Sequence, residues 1–178
     1  MSDAPDEQKK AQAAHDARDE APDALHVATI TVSDTRHAGN DAGGDTLREC
    51  LGHFGFVLMP HATVPDDPAR VREAVLQAIE AGACAVVTTG GTGIAPRDHT
   101  YEAVSALLEK TLDGFGEAFR RLSWEQVGAR SVLSRAVAGT ARGALVFALP
   151  GSPKAVSLAV RELVGPLLPH AVALVKHR

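Results

Sequence analysis

The stretch that most constrains the fold is a short apolar strand followed by a glycine-rich loop and an acidic residue. Residues 84–89 read Cys-Ala-Val-Val-Thr-Thr, which is typical of a strand covered on both faces in a parallel sheet. Gly90, Gly91 and Gly93 follow, and glycines allow a backbone to adopt positive φ and to approach a ligand closely. Backbone N–H groups turned inward in such a loop, beside a helix N-terminus, can bind phosphate or another anion. The stretch therefore predicts a parallel sheet with an anion-binding loop at a strand end.

Polar residues beyond the glycines extend this prediction, although each also has a simpler interpretation. Arg97 is suited to neutralising a phosphate, and Asp98 is suited to holding Mg²⁺ between a phosphate and the protein. Alternatively, the glycines form only a turn, and Asp98 or Thr100 caps the helix that begins near Tyr101. The spacing matches neither a P-loop nor the dinucleotide fingerprint, so the loop indicates a ligand without naming it.

Two more polar loops follow predicted strands. The β-branched run at 26–32 delivers Ser33 and Asp34 at its end, and the strand at 144–149 leads into the loop 150–154. The latter offers backbone donors, a hydroxyl and a lysine to an anion, although a plain helix start with Ser152 as N-cap fits the same residues. In a parallel sheet the loops 33–41, 89–98 and 150–154 converge on one edge, where a ligand is expected.

The rest of the chain alternates strands and helices. A helix is predicted around Leu47 to Phe54, and a strand at 56–64 is interrupted by Pro60, which places it at a sheet edge or gives it a bulge. Helices follow around 71–79, at about 100–109 and 114–127, and from 153 until Pro166, with a hairpin turn at 142–143. Asp66 precedes the helix around 71–79, and capping is its simplest role. This alternation predicts an α/β fold with helices on both faces of a mostly parallel sheet.

Length and charge narrow the class further. The 178 residues are one domain's worth, and we expect a poorly ordered tail at 1–24 before a single domain at 25–178. The tail carries seven acidic residues against three basic ones, and the domain carries fifteen of each. A neutral domain has no electrostatic footprint for nucleic acid and no polybasic membrane surface, so neither partner is expected.

The remaining composition favours a cytoplasmic protein. Cys50 and Cys84 lack the spacing of a zinc or redox motif and are expected to be buried free thiols in a reducing compartment. None of the eight histidines forms a ligand pair at helical spacing, so no histidine-based metal site is expected. We expect no signal peptide and no stretch of transmembrane length.

Taken together, the loops resemble the MoaB/MogA family of molybdenum cofactor biosynthesis, with the molybdopterin-binding fold. The resemblance covers nearly the whole chain after the tail and is nearer the MoaB branch, judging by the blocks at 33–36 and 152–155. Five ordered blocks carry it: Thr31–Arg36, Thr88–Thr100, Gly114–Arg120, Leu133–Arg135 and Leu149–Lys154.

The resemblance implies a three-layer α/β/α domain that assembles as a trimer or as a hexamer of two trimers. It also implies adenylyl transfer, in which the terminal phosphate of molybdopterin attacks the α-phosphate of MgATP and releases pyrophosphate. Molybdopterin and ATP would be the substrates, Mg²⁺ the metal cofactor, and the molybdate-inserting enzyme a candidate partner. Backbone cradles, one or two metal-binding carboxylates and a few cations suffice for such chemistry.

The resemblance also assigns roles to residues. Asp98 and Asp66 match the family's functional aspartates and become the catalytic and Mg²⁺-binding pair. The glycine loop is assigned to binding the nucleotide phosphates, through Thr89, Gly90, Gly91, Thr92, Gly93 and Arg97. Pterin and substrate binding is assigned to Ser33, Asp34, Glu117, Ser134, Pro150, Gly151, Ser152 and Lys154.

Three other interpretations compete with adenylyl transfer. A non-catalytic molybdopterin-binding protein would keep the loops but not turn over ATP. The molybdate-inserting branch and the nicotinamide-nucleotide amidase-linked proteins carry further domains that 178 residues cannot contain. A Rossmann-type dehydrogenase would need the fingerprint and an acidic residue after it, and the sequence has neither in place.

Overall fold

The computed structural model describes residues 24–35 and 40–176. All but the last residue of the predicted tail, and part of the loop 33–41, lie outside this range, so the domain boundary at 25 stays a prediction. The strands are β1 (His26–Val32), β2 (Val57–Leu58), β3 (Ala62–Val64), β4 (Ala85–Thr89), β5 (Lys110–Thr111), β6 (Val137–Ala141) and β7 (Ala144–Leu149). The helices are α1 (Ala42–Gly52), α2 (Pro68–Glu80), α3 (Thr100–Ser105), α4 (Asp113–Val127), α5 (Pro153–Ala159) and α6 (Gly165–Lys176). A 3₁₀ helix spans Gly128–Leu133, and a π-helical turn spans Val160–Val164.

The sheet is mostly parallel, as predicted. Its order is β2-β1-β4-β7-β6-β5. The strand β3 pairs with the same edge of β1 as β2 does, but nearer the carboxyl end of β1. The strands β1, β2, β3, β4 and β7 run parallel, whereas β6 and β5 are antiparallel to their neighbours. Pro60 lies between β2 and β3, so the predicted strand at 56–64 is two short strands at the sheet edge, where a missing N–H breaks no central ladder.

Helices cover both faces of this sheet, which confirms the three-layer α/β fold class. One apolar core joins α1, α4, α5 and α6 to the sheet around the fully buried Leu47, Phe147 and Leu168. The other joins α2 and α3 to the opposite face around Val71, Val75 and Val104. Cys50 and Cys84 are both buried and free, in agreement with the sequence.

Three helix boundaries differ from the sequence predictions. The helix predicted at about 100–109 ends at Ser105, and Phe54 lies beyond the end of α1 and is 39% exposed. The prediction that the last helix ends at Pro166 is wrong, because helical backbone continues from Pro153 to Lys176. The π-helical turn at 160–164 ends two residues before Pro166, and its altered hydrogen bonding accommodates a residue without an N–H.

The continuous last helix also corrects the expectation about transmembrane length. Its 24 residues have a mean hydropathy of 1.5 in one window, which by length and composition alone is enough to cross a membrane. Val156, Ala159, Val164 and Leu168 of this helix are buried in the core against the sheet. Core helices of soluble proteins pass the same test, and this apolar face is used in packing.

Candidate functional site

A cleft lies at the carboxyl edge of the parallel strands, where the polar loops were predicted to converge. It has a volume of about 460 Å³. Its walls come from the segments after β1, β4 and β7, from Asp66 before α2 and from the end of the 3₁₀ helix. The lining residues are Val32, Ser33, Asp34, Thr35, Asp66, Gly90, Gly91, Thr92, Gly93, Arg97, Asp98, Leu133, Ser134, Pro150, Gly151 and Ser152.

The glycine loop needs glycine at its first two positions. Gly90 has φ 102°, and a Cβ there would lie 2.2 Å from the carbonyl oxygen of Val32, so no side chain fits where β4 leaves the sheet beside β1. Gly91 has φ 63°, and a Cβ there would lie 2.3 Å from Asp66 Oδ2 and 2.2 Å from Thr100 Oγ1. The loop backbone therefore lies directly against a carboxylate of the cleft, an approach that only glycine permits.

Asp66 does not cap α2, which removes its simplest interpretation. The cap is Asp67, whose Oδ1 accepts from the amides of Ala69 at 2.9 Å and Arg70 at 3.0 Å. Asp66 Oδ1 instead accepts from the amide of His99 at 3.0 Å. The Asp66 amide donates to Asp34 Oδ1, also at 3.0 Å. Asp66 thus connects the segments after β1 and β4, and its carboxylate lines the cleft.

Asp98 is likewise not a helix cap. The N-cap position of α3 is His99, which makes no side-chain capping bond. Asp98 Oδ2 accepts from the Ala95 amide at 2.9 Å, closing a tight turn within the glycine-loop segment. No hydrogen bond in residues 24–35 and 40–176 uses Asp98 Oδ1 or Asp66 Oδ2. Each carboxylate is therefore held by one oxygen and leaves the other available to a ligand.

The cleft concentrates negative charge around Asp66. Burial, chiefly, raises the pKa of Asp66, and the charges of Asp98 and Asp34 raise it further, whereas the hydrogen bond and charge of His99 oppose the shift. Arg97 is exposed at the cleft and forms no ion pair within the described residues. The site thus combines close carboxylates with an available guanidinium, which suits a ligand bearing both phosphate and a divalent cation.

The predicted site residues separate into two groups. Most line the cleft, and Thr89 lies just beneath it, fully buried, with its hydroxyl donating to the Pro150 carbonyl at 3.0 Å. Glu117 and Lys154 are exposed and do not line it. Lys154 instead borders a neighbouring cavity of about 540 Å³ that shares Ser134, Pro150 and Ser152 with the cleft. The functional roles of both groups stay predictions.

Arg135 is not among the predicted site residues, yet its side chain contacts the cleft loop. Its Nη2 donates to the Asp98 carbonyl at 3.1 Å, and its Nε donates to the Thr92 carbonyl at 3.3 Å. The signal available in the sequence was its place at the end of the block Leu133–Arg135. A basic residue before a strand does not by itself predict carbonyl contacts more than thirty residues away in the chain.

The sheet order, the helices on both faces and the phosphate-suited edge define a three-layer α/β domain of the molybdopterin-binding class. The family described as "Probable molybdopterin binding domain" matches residues 28–170. The chain therefore belongs to this family of molybdenum cofactor biosynthesis proteins.

Individual relatives agree with this assignment. A molybdenum cofactor biosynthesis protein B from Staphylococcus carnosus is 46% identical over 151 residues, covering 83% of this chain and 89% of the relative. A crystal structure of a molybdenum cofactor biosynthesis protein B is similar with a TM-score of 0.85 at 40% identity, covering 89% of this chain and 100% of that one. The tungsten cofactor synthesizing protein MoaB from Pyrococcus furiosus has a TM-score of 0.80 at 40% identity, covering 87% and 99%. These similarities confirm the family and its MoaB branch.

Proposed function

We propose that this protein binds molybdopterin and adenylylates it with MgATP. The terminal phosphate oxygen of molybdopterin attacks the α-phosphorus of ATP, the bond from that phosphorus to the bridging oxygen breaks, and pyrophosphate leaves. The observation that carries the proposal is the glycine loop facing Asp66 and Asp98 across one cleft, with Arg97 beside them. A carboxylate pair, a phosphate-suited backbone and a free guanidinium are the parts that nucleotidyl transfer needs.

In this proposal each residue binds or orients. The amides of Gly91, Thr92 and Gly93 hold the nucleotide phosphates, and Arg97 neutralises their charge. The Gly90 amide is already bonded to the Leu149 carbonyl at 3.0 Å, so Gly90 shapes the loop. Ser33, Asp34, Ser134 and the loop 150–152 hold the remaining parts of the two substrates. Lys154 and Glu117 are assigned to substrate binding from the resemblance alone, with Lys154 at the cavity adjoining the cleft. Positioning two anionic substrates in line accounts for most of the catalysis in this class of reaction.

The residues present fit a magnesium ion. Asp66 and Asp98 each offer one carboxylate oxygen free of protein hydrogen bonds. Burial, and to a smaller extent the charges of Asp98 and Asp34, raises the pKa of Asp66, and a bound cation would offset both effects. The described ranges hold no cluster of three His, Cys, Asp or Glu side chains able to bind a metal without other ligands. Mg²⁺ commonly takes one or two carboxylates together with substrate phosphates, so two aspartates suffice. When bound, it would supply charge neutralisation at the phosphates.

The decisive experiment follows AMP transfer in purified protein supplied with molybdopterin and MgATP. Pyrophosphate release and adenylylated molybdopterin are measured together, with and without Mg²⁺. Asp98→Asn keeps an oxygen for the Ala95 amide but removes the charge, so we expect turnover to fall by about 10²-fold or more while molybdopterin binding persists. Asp98→Ala should lose turnover in the same way.

The matched control is Asp67→Asn, which retains an N-cap for α2 and should leave turnover within a few-fold of wild type. Unchanged turnover in Asp98→Asn would refute the role given to Asp98. Molybdopterin binding without AMP transfer in the wild type would leave a pterin-binding protein of the same pathway. We assign the reaction to the cytoplasm, and the two free cysteines support this assignment. The molybdate-inserting enzyme would receive the product.

A further inference from the structure

The segment between β4 and α3 has few hydrogen bonds between its own residues. Residues 90–99 contain no strand or helix. Within the segment, the Asp98 amide donates to the Ala95 carbonyl and the Ala95 amide donates to Asp98 Oδ2, each at 2.9 Å. At its end the Thr100 amide donates to the Gly91 carbonyl at 3.0 Å. The first two bonds join residues 95 and 98 to each other and not to the sheet. Asp98 and the loop amides, on which the proposed reaction depends, therefore rely on external contacts for their position.

One side chain supplies several of those contacts. All three guanidinium nitrogens of Arg135 are engaged: Nε with the Thr92 carbonyl, Nη2 with the Asp98 carbonyl, and Nη1 with Glu102 Oε1. A second bond joins Nη2 to Glu102 Oε2 at 3.3 Å. The two carbonyls belong to residues six positions apart, so one rigid planar group spans the turn between them.

The residues that hold Arg135 in place lie in or beside regular structure. Glu102 lies in the first turn of α3, and the guanidinium carbon lies 5.0 Å from the centre of the Tyr101 ring in the same turn. On the other side, Arg135 directly precedes the residues leading into β6, and Arg120 of α4 donates to the Ser134 carbonyl at 3.3 Å. The Arg135 side chain is 27% exposed, against 55% for Glu102, so its bonds are partly shielded from water.

We infer that Arg135 is a positioning residue for the cleft, which fixes the glycine-loop segment by bonding the Thr92 and Asp98 carbonyls while Glu102 orients its guanidinium. The inference rests on the proposed adenylyl transfer for its consequence on turnover, but its structural content stands apart from that reaction. Arg135 contacts main-chain carbonyls of the loop and does not line the cleft, so it acts through Asp98 and the loop amides.

The test measures loop order and kinetics separately. Amide hydrogen exchange is followed in the full chain without substrates, in wild type, Arg135→Lys, Arg135→Ala and Glu102→Gln. We expect exchange at the amides of residues 98–100 to rise roughly tenfold in Arg135→Ala, with central-strand amides such as Val86 and Val87 unchanged. Arg135→Lys should restore only part of this protection, because one ammonium cannot replace the planar fork. The Arg135→Lys variant also tests the inference if Arg135→Ala does not fold.

The kinetic readout should show a split between kcat and KM. Misplacing Asp98 and the loop should lower kcat on the order of 10²-fold and change KM for MgATP only a few-fold. Glu102→Gln should give a smaller effect, which disappears in the Arg135→Ala background because the two residues act as one unit. The control is Arg142→Ala, which removes another cross-element ion pair, to Glu80 at 2.9 Å, away from the cleft. It should leave both loop exchange and kcat at wild-type values.

Each outcome decides the inference. Unchanged exchange at 98–100 in Arg135→Ala and Arg135→Lys overturns it, and so does a uniform rise across the sheet, which would show a general stabilising role. A loosened loop with unchanged kcat in an active enzyme also overturns it. If the wild type transfers no AMP, the adenylyltransferase proposal falls by itself, and the exchange measurements still decide whether Arg135 positions the loop.

Discussion

At the residue scale, Asp66 carries a charge that its surroundings disfavour. Its carboxylate is partly buried beside Gly91 and near two other aspartates, and these surroundings raise its pKa above the usual range. An acid whose pKa is raised by folding favours the folded state only while it is protonated. That contribution is fully present below the unfolded pKa of about 3.9 and is lost as the pH rises through the raised folded pKa. At neutral pH the charged Asp66 is therefore a cost to folding, of the kind that binding sites often retain.

Replacing Asp66 by Asn should therefore stabilise the protein at neutral pH while reducing its activity. The Asn side-chain oxygen can still accept from the His99 amide, and the unfavourable charge is gone. We expect Tm at about pH 7.5, measured with a chelator present, to rise on the order of 1–2 °C, because partial exposure screens the effect. The gain should vanish below about pH 4, where both side chains are neutral.

Asp67→Asn provides the comparison for this prediction, since it removes a neighbouring charge and keeps the α2 cap. Its Tm should stay near wild type at both pH values. A lower Tm in Asp66→Asn at neutral pH would show that the carboxylate stabilises the fold and would reverse the argument. Equal gains in both variants would attribute the effect to net charge and not to the surroundings of Asp66.

At the scale of elements, periodicity predicted most strands and helices because each has an apolar face to bury. The buried runs of β1, β4 and β7 and the stripe Val71–Val75 of α2 are visible in the chain alone. Boundaries that depend on tertiary contacts were not visible. The helix passes Pro166 because its buried side chains on either side of the proline pack in the same core, and a local stop signal cannot register that.

The start of α1 provides a prediction at this scale. Gly44 lies in its first turn, where a Cβ would meet Asp41 Oδ2 at 2.3 Å and Thr31 Oγ1 at 2.5 Å. Asp41 caps the helix through the Gly44 amide at 3.0 Å, and Thr31 is fully buried in β1, so neither side chain can move without cost. Although alanine favours helix, Gly44→Ala should destabilise the protein by about 1–3 kcal/mol. Urea unfolding measures this free energy.

Gly52 at the other end of α1 is the matched control. No atom lies within 4 Å of a Cβ there, so Gly52→Ala should be neutral or stabilising by up to about 1 kcal/mol. The two substitutions are chemically identical and lie in the same helix, and only their surroundings differ. Destabilisation by both would point to helix geometry, and destabilisation by neither would mean that the helix start can shift away from β1.

At the scale of the whole molecule, the sheet brings together residues that the sequence keeps far apart. The rule that parallel strands share a carboxyl edge was enough to place Asp34, Gly91 and Ser152 around one cleft. It was not enough to find the bonds between loops, such as Asp34 to the Asp66 amide or Arg135 to the Thr92 carbonyl. Those bonds depend on the directions of side chains, which follow from packing and not from strand order. The rule therefore predicts where the cleft lies but only some of the residues that form it.

Large apolar side chains are exposed on α4 and on the 3₁₀ helix after it, and they lead to a prediction about assembly. Trp124 is 53% exposed, Val127 45% and Val132 65%, all on α4 or the 3₁₀ helix after it. Exposed apolar surface of this kind is typical of a protein–protein interface, and the family resemblance implies a trimer or hexamer. Sedimentation equilibrium should then give three or six times the chain mass of 18.6 kDa.

Replacing Trp124 and Val132 together by Lys should lower this mass, because an association that buries them would have to desolvate two charges. Leu174→Lys, at a 62% exposed position on α6, should leave it unchanged. A wild-type monomer would refute the assembly, and an oligomer that survives the double replacement would place its interface on another surface.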